Sequence, residues 1–367
     1  MKRVIAALII CLLLTGCWDQ VQLKKMLFAD IIGLDYEGDG KQLKVSFVIS
    51  SLRNVHQGGG IANNLYLESK GKNIYHAVDN TNKEMPGVLA ALETRLFLLS
   101  TRFAKDQPLN YLDITSQFRT NPLYGYLAVY DGDLSKLLAT KKFKEDLTAA
   151  DFLVGLLEDE HKRGTIPSNQ LLDYILGGGR FLNDFALNRF EPYENGARLA
   201  GTALFKDGKY TGVNLNNEDT QLAVLMNGAV GRSQPLVGNI GGKRYTTLVK
   251  EVKNDVHIIS SDDGLSEINL SLKLDLKLIE DGHKVKKHTN TMLTELEKKI
   301  TDDLTAKISN MIATLQKANC DIFQLGHEVA AYHPKLFKGK DWWREQYPKI
   351  NIKPIVRVRI LNSGVLD

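Results

Sequence analysis

At 367 residues, 43% hydrophobic and 25% charged, the chain has the composition of an ordinary globular protein, with length for two or three domains. Its formal charge of +4 falls to +2 once Lys2 and Arg3 are set aside, and so near-neutral a body gives no support to nucleic-acid binding. Of its three cysteines, Cys11 and Cys17 sit in or beside an N-terminal apolar run, which leaves Cys320 without a partner and excludes a disulfide framework.

Read in chain order, Lys2-Arg3 precede an apolar run from Val4 to Leu14, long enough for a signal-peptide core and too short to span a bilayer. Leu14-Thr15-Gly16-Cys17 closes it as a lipobox, with cleavage expected between Gly16 and Cys17 and lipid attachment at the Cys17 thiol. Each buried CH₂ of an acyl chain contributes about 0.8 kcal/mol, so two or three chains make such an anchor essentially permanent. No later apolar stretch approaches the roughly 18 residues of a spanning helix. An exported chain without bridges fits the wall side of a Gram-positive membrane.

Leu27–Tyr36 and Gln42–Leu52 read as a β-hairpin around Glu37-Gly38-Asp39-Gly40, with Leu43, Val45, Phe47 and Ile49 on one face. Gly58-Gly59-Gly60 reads as a loop, Leu65–Ser69 as a strand, Asn73–Glu84 as a helix, and Arg95–Leu99 and Tyr124–Tyr130 as strands. Helices are expected at Leu134–Thr140 and Thr148–Lys162, the second capped by Thr148 or Asp151. The polar, turn-rich segment 191–196 is the expected main boundary. It divides the chain into a signal peptide (1–16), an N-terminal α+β region (17–194) with room for two subdomains, and a C-terminal α+β domain (195–367).

Beyond that boundary come a strand at Ala197–Phe205, the Asp207-Gly208 turn into Lys209–Gly212, and a helix from Asn216 or Asn217 to Met226 with Glu218 and Asp219 in its first turn. Tyr245–Val252, Val256–Ser260 and Glu267–Ile279 read as strands; the last alternates from Ile268 to Leu278 and is half-buried in an antiparallel sheet. Thr291–Lys317 is the strongest helix. Its stripe of Leu293, Leu296, Ile300, Leu304, Ile308, Ile312 and Leu315 is expected to cross that sheet, with Glu295/Lys299 and Asp303/Lys307 as i, i+4 pairs. A helix at Asp321–Tyr332, an aromatic-rich piece at Lys340–Gln346 and a strand at Ile350–Leu361 complete the chain. The fold class is α+β: successive mixed domains, the C-terminal one a largely antiparallel sheet packed by a long helix.

A search for chemistry finds no catalytic, metal or cofactor constellation. His327-Glu328 lacks a histidine at i+4, where Ala331 stands, and His333 is six residues on, so a zincin site is not formed. Cys320 reads as a small buried side chain, Gly177-Gly178-Gly179 with Arg180 as a loop, Asp262-Asp263-Gly264 as a hairpin turn, and Trp342, Trp343 and Tyr347 as core or interface.

Three segments together resemble the Ger(x)C spore germination lipoproteins, the C subunits of nutrient germinant receptors. They are Leu14-Thr15-Gly16-Cys17-Trp18-Asp19, the stretch from Gly201 to Val213 with Asn216-Asn217-Glu218-Asp219-Thr220, and a closing block of Cys320–Gly326, Pro334-Lys335, Trp342 to Pro348 and Arg359-Ile360. Gln324 stands where that family usually has glycine, and Asn362-Ser363-Gly364 replaces a more basic ending. The resemblance implies a non-enzymatic protein of successive α+β domains, anchored on the outer face of the spore inner membrane beside membrane-embedded A and B subunits. An alternative is a solute-binding lipoprotein that captures the nutrient itself, which would need a pocket with converging polar groups.

Overall fold

The computed structural model describes residues 26–38, 40, 42–50, 64–90, 94–106, 108–112, 123–141, 143, 147–177, 182–194, 196–261, 264–280 and 289–363. The lipobox with Cys17, the glycines at 58–60, Gly178-Gly179-Arg180 and Asp262-Asp263 lie outside them.

The expected N-terminal hairpin forms from β1 (Met26–Glu37) and β2 (Gln42–Ser50), paired Leu34 to Val45, and β3 (Asn64–Gly71) adds antiparallel to β2. The helix α1 (Ile74–Glu84) starts where the Asn73 side chain accepts the His76 amide at 2.8 Å. A short β4 (Val88–Ala90) pairs with the start of β1, and β5 (Leu96–Ser100) and β6 (Tyr126–Tyr130) extend the sheet in parallel. Between and after them lie α2 (Thr101–Ala104), α3 (Pro108–Leu112), α4 (Leu134–Leu138), α5 (Ala149–Arg163) and α6 (Leu171–Gly177). β7 (Phe185–Tyr193) is parallel to β6, and β8 (Gly196–Lys206) and β9 (Lys209–Leu215) close the sheet antiparallel. The order is β3-β2-β1-β5-β6-β7-β8-β9, and the turn-rich segment at 191–196 makes the β7–β8 connection.

This sheet is covered on both faces, which explains the uninterrupted apolar run of β5. Phe97 and Leu99 join Leu34, Phe47 and Val129 under α1 and α6, while Leu96 and Leu98 join Ala128 and the α4 and α5 residues Leu137, Leu153 and Leu157.

The C-terminal part begins with α7 (Asn217–Met226), capped by Asn216, and a second sheet ordered β10 (Pro235–Ile240), β11 (Lys243–Ser261), β12 (Gly264–Glu280), β13 (Asn351–Ser363). The two strands expected between 245 and 260 are one continuous β11, because three register shifts, at Thr246/Thr247, Val249/Glu251 and Ile259/Ser260, let it follow β12 along its whole length. The pairs are antiparallel except β12–β13. Its inner face, Ile268 to Leu278 at alternate positions, packs on α8 (Asn290–Ala318) through Ile300, Leu304, Ile308, Met311, Ile312 and Leu315. The Asp303–Lys307 pair forms at 2.9 Å and Lys307 also reaches Glu218 of α7 at 2.7 Å; Glu295 and Lys299 form no ion pair among the described residues. After α8 come α9 (Leu325–Tyr332), shorter than expected because 321–324 is a turn, and α10 (Lys340–Gln346). The fold class is α+β, with a long helix on a largely antiparallel C-terminal sheet.

Candidate functional site at the junction of the two sheets

Two of the sequence blocks quoted above, 201–220 and 320–348, converge on one buried cluster at the end of the first sheet. Gly201 opens the first with φ +82, and a Cβ there would stand 2.0 Å from the Leu215 carbonyl oxygen, so only glycine lets β8 cross β9 this closely. Ala203 and Phe205 then face the core, and Phe205 stacks on Phe185 at 4.9 Å between ring centroids. Asp207-Gly208, both left-handed, turn the chain into β9. At the far end of α8, left-handed Asn319 reverses the chain and drops Cys320 and Asp321 onto this turn, where the Cys320 Sγ donates to the Phe205 carbonyl at 3.1 Å.

Asp184, immediately before β7, is the centre. Its carboxylate accepts two hydrogen bonds from the Arg344 guanidinium of α10, at 2.5 and 2.6 Å, and the backbone amides of Asp207 (3.0 Å) and Asp321 (2.8 Å). Arg344 donates also to Asp207 at 2.8 Å, and Lys340 pairs with the same carboxylate at 2.6 Å. Asp321 accepts the amides of Leu325 (2.9 Å) and Gly326 (2.8 Å) and the Trp343 indole N–H (3.1 Å), so one side chain both starts α9 and holds α10. A Cβ on Gly326 would lie 2.5 Å from Leu182 and 2.7 Å from the Trp343 nitrogen, which fixes glycine at that contact. Tyr347 donates to the Cys320 carbonyl at 3.1 Å, and the Gln324 amide to the Asp184 carbonyl at 2.8 Å.

The electrostatics follow from burial. Asp184 is fully buried and Arg344 nearly so. Desolvation opposes the Arg344 charge, but the carboxylates of Asp184 and Asp207 outweigh it and hold the guanidinium above its usual range. Burial likewise disfavours the Asp207 anion, and Lys340 and Arg344 bring that carboxyl below its usual value nonetheless. Asp321 goes the other way: complete burial pushes its carboxyl up to about 6 against the donors that favour its anion. Burial, then the neighbouring Asp184 and Asp321, raise the Cys320 thiol well above its ordinary value, so it is a packed side chain and not a nucleophile.

Against the cluster lies a cavity of ≈ 250 Å³, between α6, β7, β8, α7 and the turn before α9. Asn169, Tyr174, Thr202, Thr220, Asn227 and Gln324 contribute to its wall. Tyr174 donates to Asn169 at 2.5 Å, and the Asn169 Nδ2 and Gln324 Oε1 atoms have no hydrogen-bond partner among the described residues.

Of the residues weighed for chemistry from the sequence, Trp343 and Tyr347 are buried core, as expected, and Cys320 is a small buried side chain. His327 lies on α9 and His333 at its C-cap; among the described residues no group of three or more His, Cys, Asp or Glu is arranged to hold a metal ion. Asp184 belongs to neither of the two converging blocks; its partners lie 23 positions away at Asp207, 137 at Asp321 and 160 at Arg344, and a lone Asp before a strand carries no signal of that.

Comparison with known proteins gives this geometry a context. Residues 19–177 match the family model described as spore germination protein N-terminal domain, and residues 200–364 match that described as spore germination B3/GerAC like, C-terminal. Spore germination protein KC of Bacillus subtilis (strain 168) is 21% identical over 392 residues, spanning 96% of this chain and 93% of its own. Putative spore germination protein YfkR of the same organism is 18% identical, spanning 99% and 97%. The crystal structure of the GerBC protein superposes with a TM-score of 0.58 at 15% identity, over 90% of this chain and 97% of that one, a likeness of fold. With both halves matched in order, the chain belongs to the GerC family of germinant receptor subunits and has its role in spore germination.

Proposed function

We propose that this chain is a lipid-anchored, non-enzymatic subunit of a spore nutrient germinant receptor, held at the extracytoplasmic face of the spore inner membrane through Cys17, and that it acts by associating with membrane-embedded A and B subunits. Cleavage before Cys17 removes residues 1–16, and the mature chain divides into 17–194 and 195–367, the second part lending β8 and β9 to the first sheet. The carrying observation is the convergence of the two sequence blocks on the Asp184–Arg344–Asp321 cluster. Its charged side chains join β7, the β8–β9 turn, α9 and α10 to one another, and that is the work of a rigid scaffold presenting outer surfaces. Anchoring to the plane that holds its partners raises their effective concentration, so weak lateral contacts suffice. Spores lacking this chain are expected to lose or weaken the response to a particular nutrient; a normal response to every nutrient would refute the proposal.

The junction cavity favours a second reading, direct capture of a solute. At ≈ 250 Å³ it falls below the roughly 300–1,000 Å³ of pockets for drug-sized ligands and would take only a small polar molecule, held by the Asn169 amide and the Gln324 carbonyl. Titration calorimetry of the purified chain against candidate nutrients separates the readings: saturable heat that disappears in Asn169→Leu supports capture, and its absence leaves the scaffold reading.

A further inference from the structure

The second sheet buries one face under α8 and leaves the other open. On that open face β11, β12 and β13 place Lys253, Lys273 and Arg357 in one row, Lys253 directly opposite Lys273 and Lys273 directly opposite Arg357. Neighbouring strands are about 4.8 Å apart, and like charges facing across them repel. The next row is Glu251, Asp275 and Arg359, and its acids are already matched, Glu251 by Lys253 at 2.7 Å and Asp275 by Arg359. Further along, Asp255 lies 2.9 Å from His257 and Glu267 accepts from Asn351 at 2.6 Å, two carboxylates without a Lys or Arg partner among the described residues. Lys273, Arg357, Lys277 and Lys353 remain with no ionic partner among the described residues, and an open depression of ≈ 230 Å³ lies over the central rows.

We infer that this face is a docking surface for an anionic phospholipid bilayer. The four unmatched cations are spread along β12 and β13 at separations of four residues, roughly 13 Å at a strand's rise, so no single small anion reaches all of them. An array of headgroup phosphates that moves laterally meets each one independently. Exposed Ile259 and Ile279, at opposite ends of the same face, suit the headgroup boundary where an acidic protein partner would give them no apolar counterpart. A chain tethered only at its N-terminus would thereby gain an orientation, with one face of the second sheet towards the lipid.

The test is sedimentation with vesicles, using the full chain carrying Cys17→Ala so that no lipid is attached. Vesicles are of phosphatidylcholine alone or with about a third phosphatidylglycerol. Binding to the anionic vesicles is expected to exceed that to the neutral ones, to fall at high salt, and to weaken roughly 30-fold or more in the double variant Lys273→Glu/Arg357→Glu. Lys2 and Arg3 bias any insertion of the N-terminal apolar segment towards the anionic vesicles, but that contribution is the same in the parent and the charge-reversed chain, so their difference reports the sheet face. Circular dichroism identifies a variant that fails to fold, and Lys353→Glu, at the far end of the face, is expected to shift binding in the same direction. Equal binding to both vesicle types overturns the inference, as does anionic binding that survives charge reversal, or a preference for poly-glutamate over vesicles.

Discussion

Arg344 is the residue on which most depends, since one guanidinium satisfies two carboxylates, one just before β7 and one in the β8–β9 turn, and its own backbone carbonyl receives the Asn319 side-chain amide at 2.8 Å. Arg344→Met leaves Asp184 as a buried, uncompensated charge, so a loss of about 3–5 kcal/mol in unfolding free energy is expected by denaturant titration. Asp207→Ala, at a half-exposed position, is expected to cost far less. Asp321 gives a pH signature. Its folded carboxyl holds a proton up to about pH 6 against an ordinary 3.8, so the stability from that proton is fully present below pH 3.8 and lost as pH rises through 6. Asp321→Asn does not titrate. The stability gap between the parent and this variant is therefore expected to narrow between pH 4 and 7, by on the order of 3 kcal/mol; a constant gap would show that Asp321 is not the titrating group. Gln324 explains a departure read from the sequence: its φ of +57 is the left-handed conformation that glycine adopts freely, and the strain is offset by its bond to Asp184. Gln324→Gly, which exchanges one for the other, is expected within about 1 kcal/mol of the parent, whereas Gln324→Val forfeits both.

At the scale of elements, what was legible depended on whether a segment carries its own pattern. The long helix was readable from its three-and-four spacing, and the strand from Ile268 to Leu278 from strict alternation, because each faces a single core and water on the other side. Ile308→Ala at the centre of α8 is expected to cost about 2–5 kcal/mol, and Leu293→Ala, half-buried in its first turn, well under half of that. β7 and β10 were not legible. Asn188 and Arg189 interrupt the apolar alternation of β7, and their places are explained only by tertiary partners, the Pro167 and Ala200 carbonyls. β10 begins with Pro235, contains Gly238 and lies at a sheet edge, where tertiary pairing with β11 overrides a loop-like composition. The site shows the same limit: the segments holding Asp207, Asp321 and Arg344 stood out, yet what they build is set by Asp184, whose role exists only in three dimensions.

For the whole molecule, a near-neutral chain divides its charge unequally, with acids locked inside the junction and unmatched bases on an open sheet face. Among the described residues no helix is long and apolar enough to cross a membrane, and the permanent attachment proposed above is the lipid at Cys17. Cys17→Ala is expected to leave the protein unprocessed or released from membranes washed at high salt, which also removes the sheet-face contact, read by intact mass and by fractionation; unchanged mass and partition would remove the anchor from the account. The central claim, a receptor subunit that works by standing against membrane partners, is tested most directly by purifying the tagged chain from detergent-solubilised spore membranes and identifying what accompanies it. Stoichiometric recovery of a membrane-embedded A and B pair is the expected result, and recovery of the chain alone from membranes that contain those subunits would contradict it.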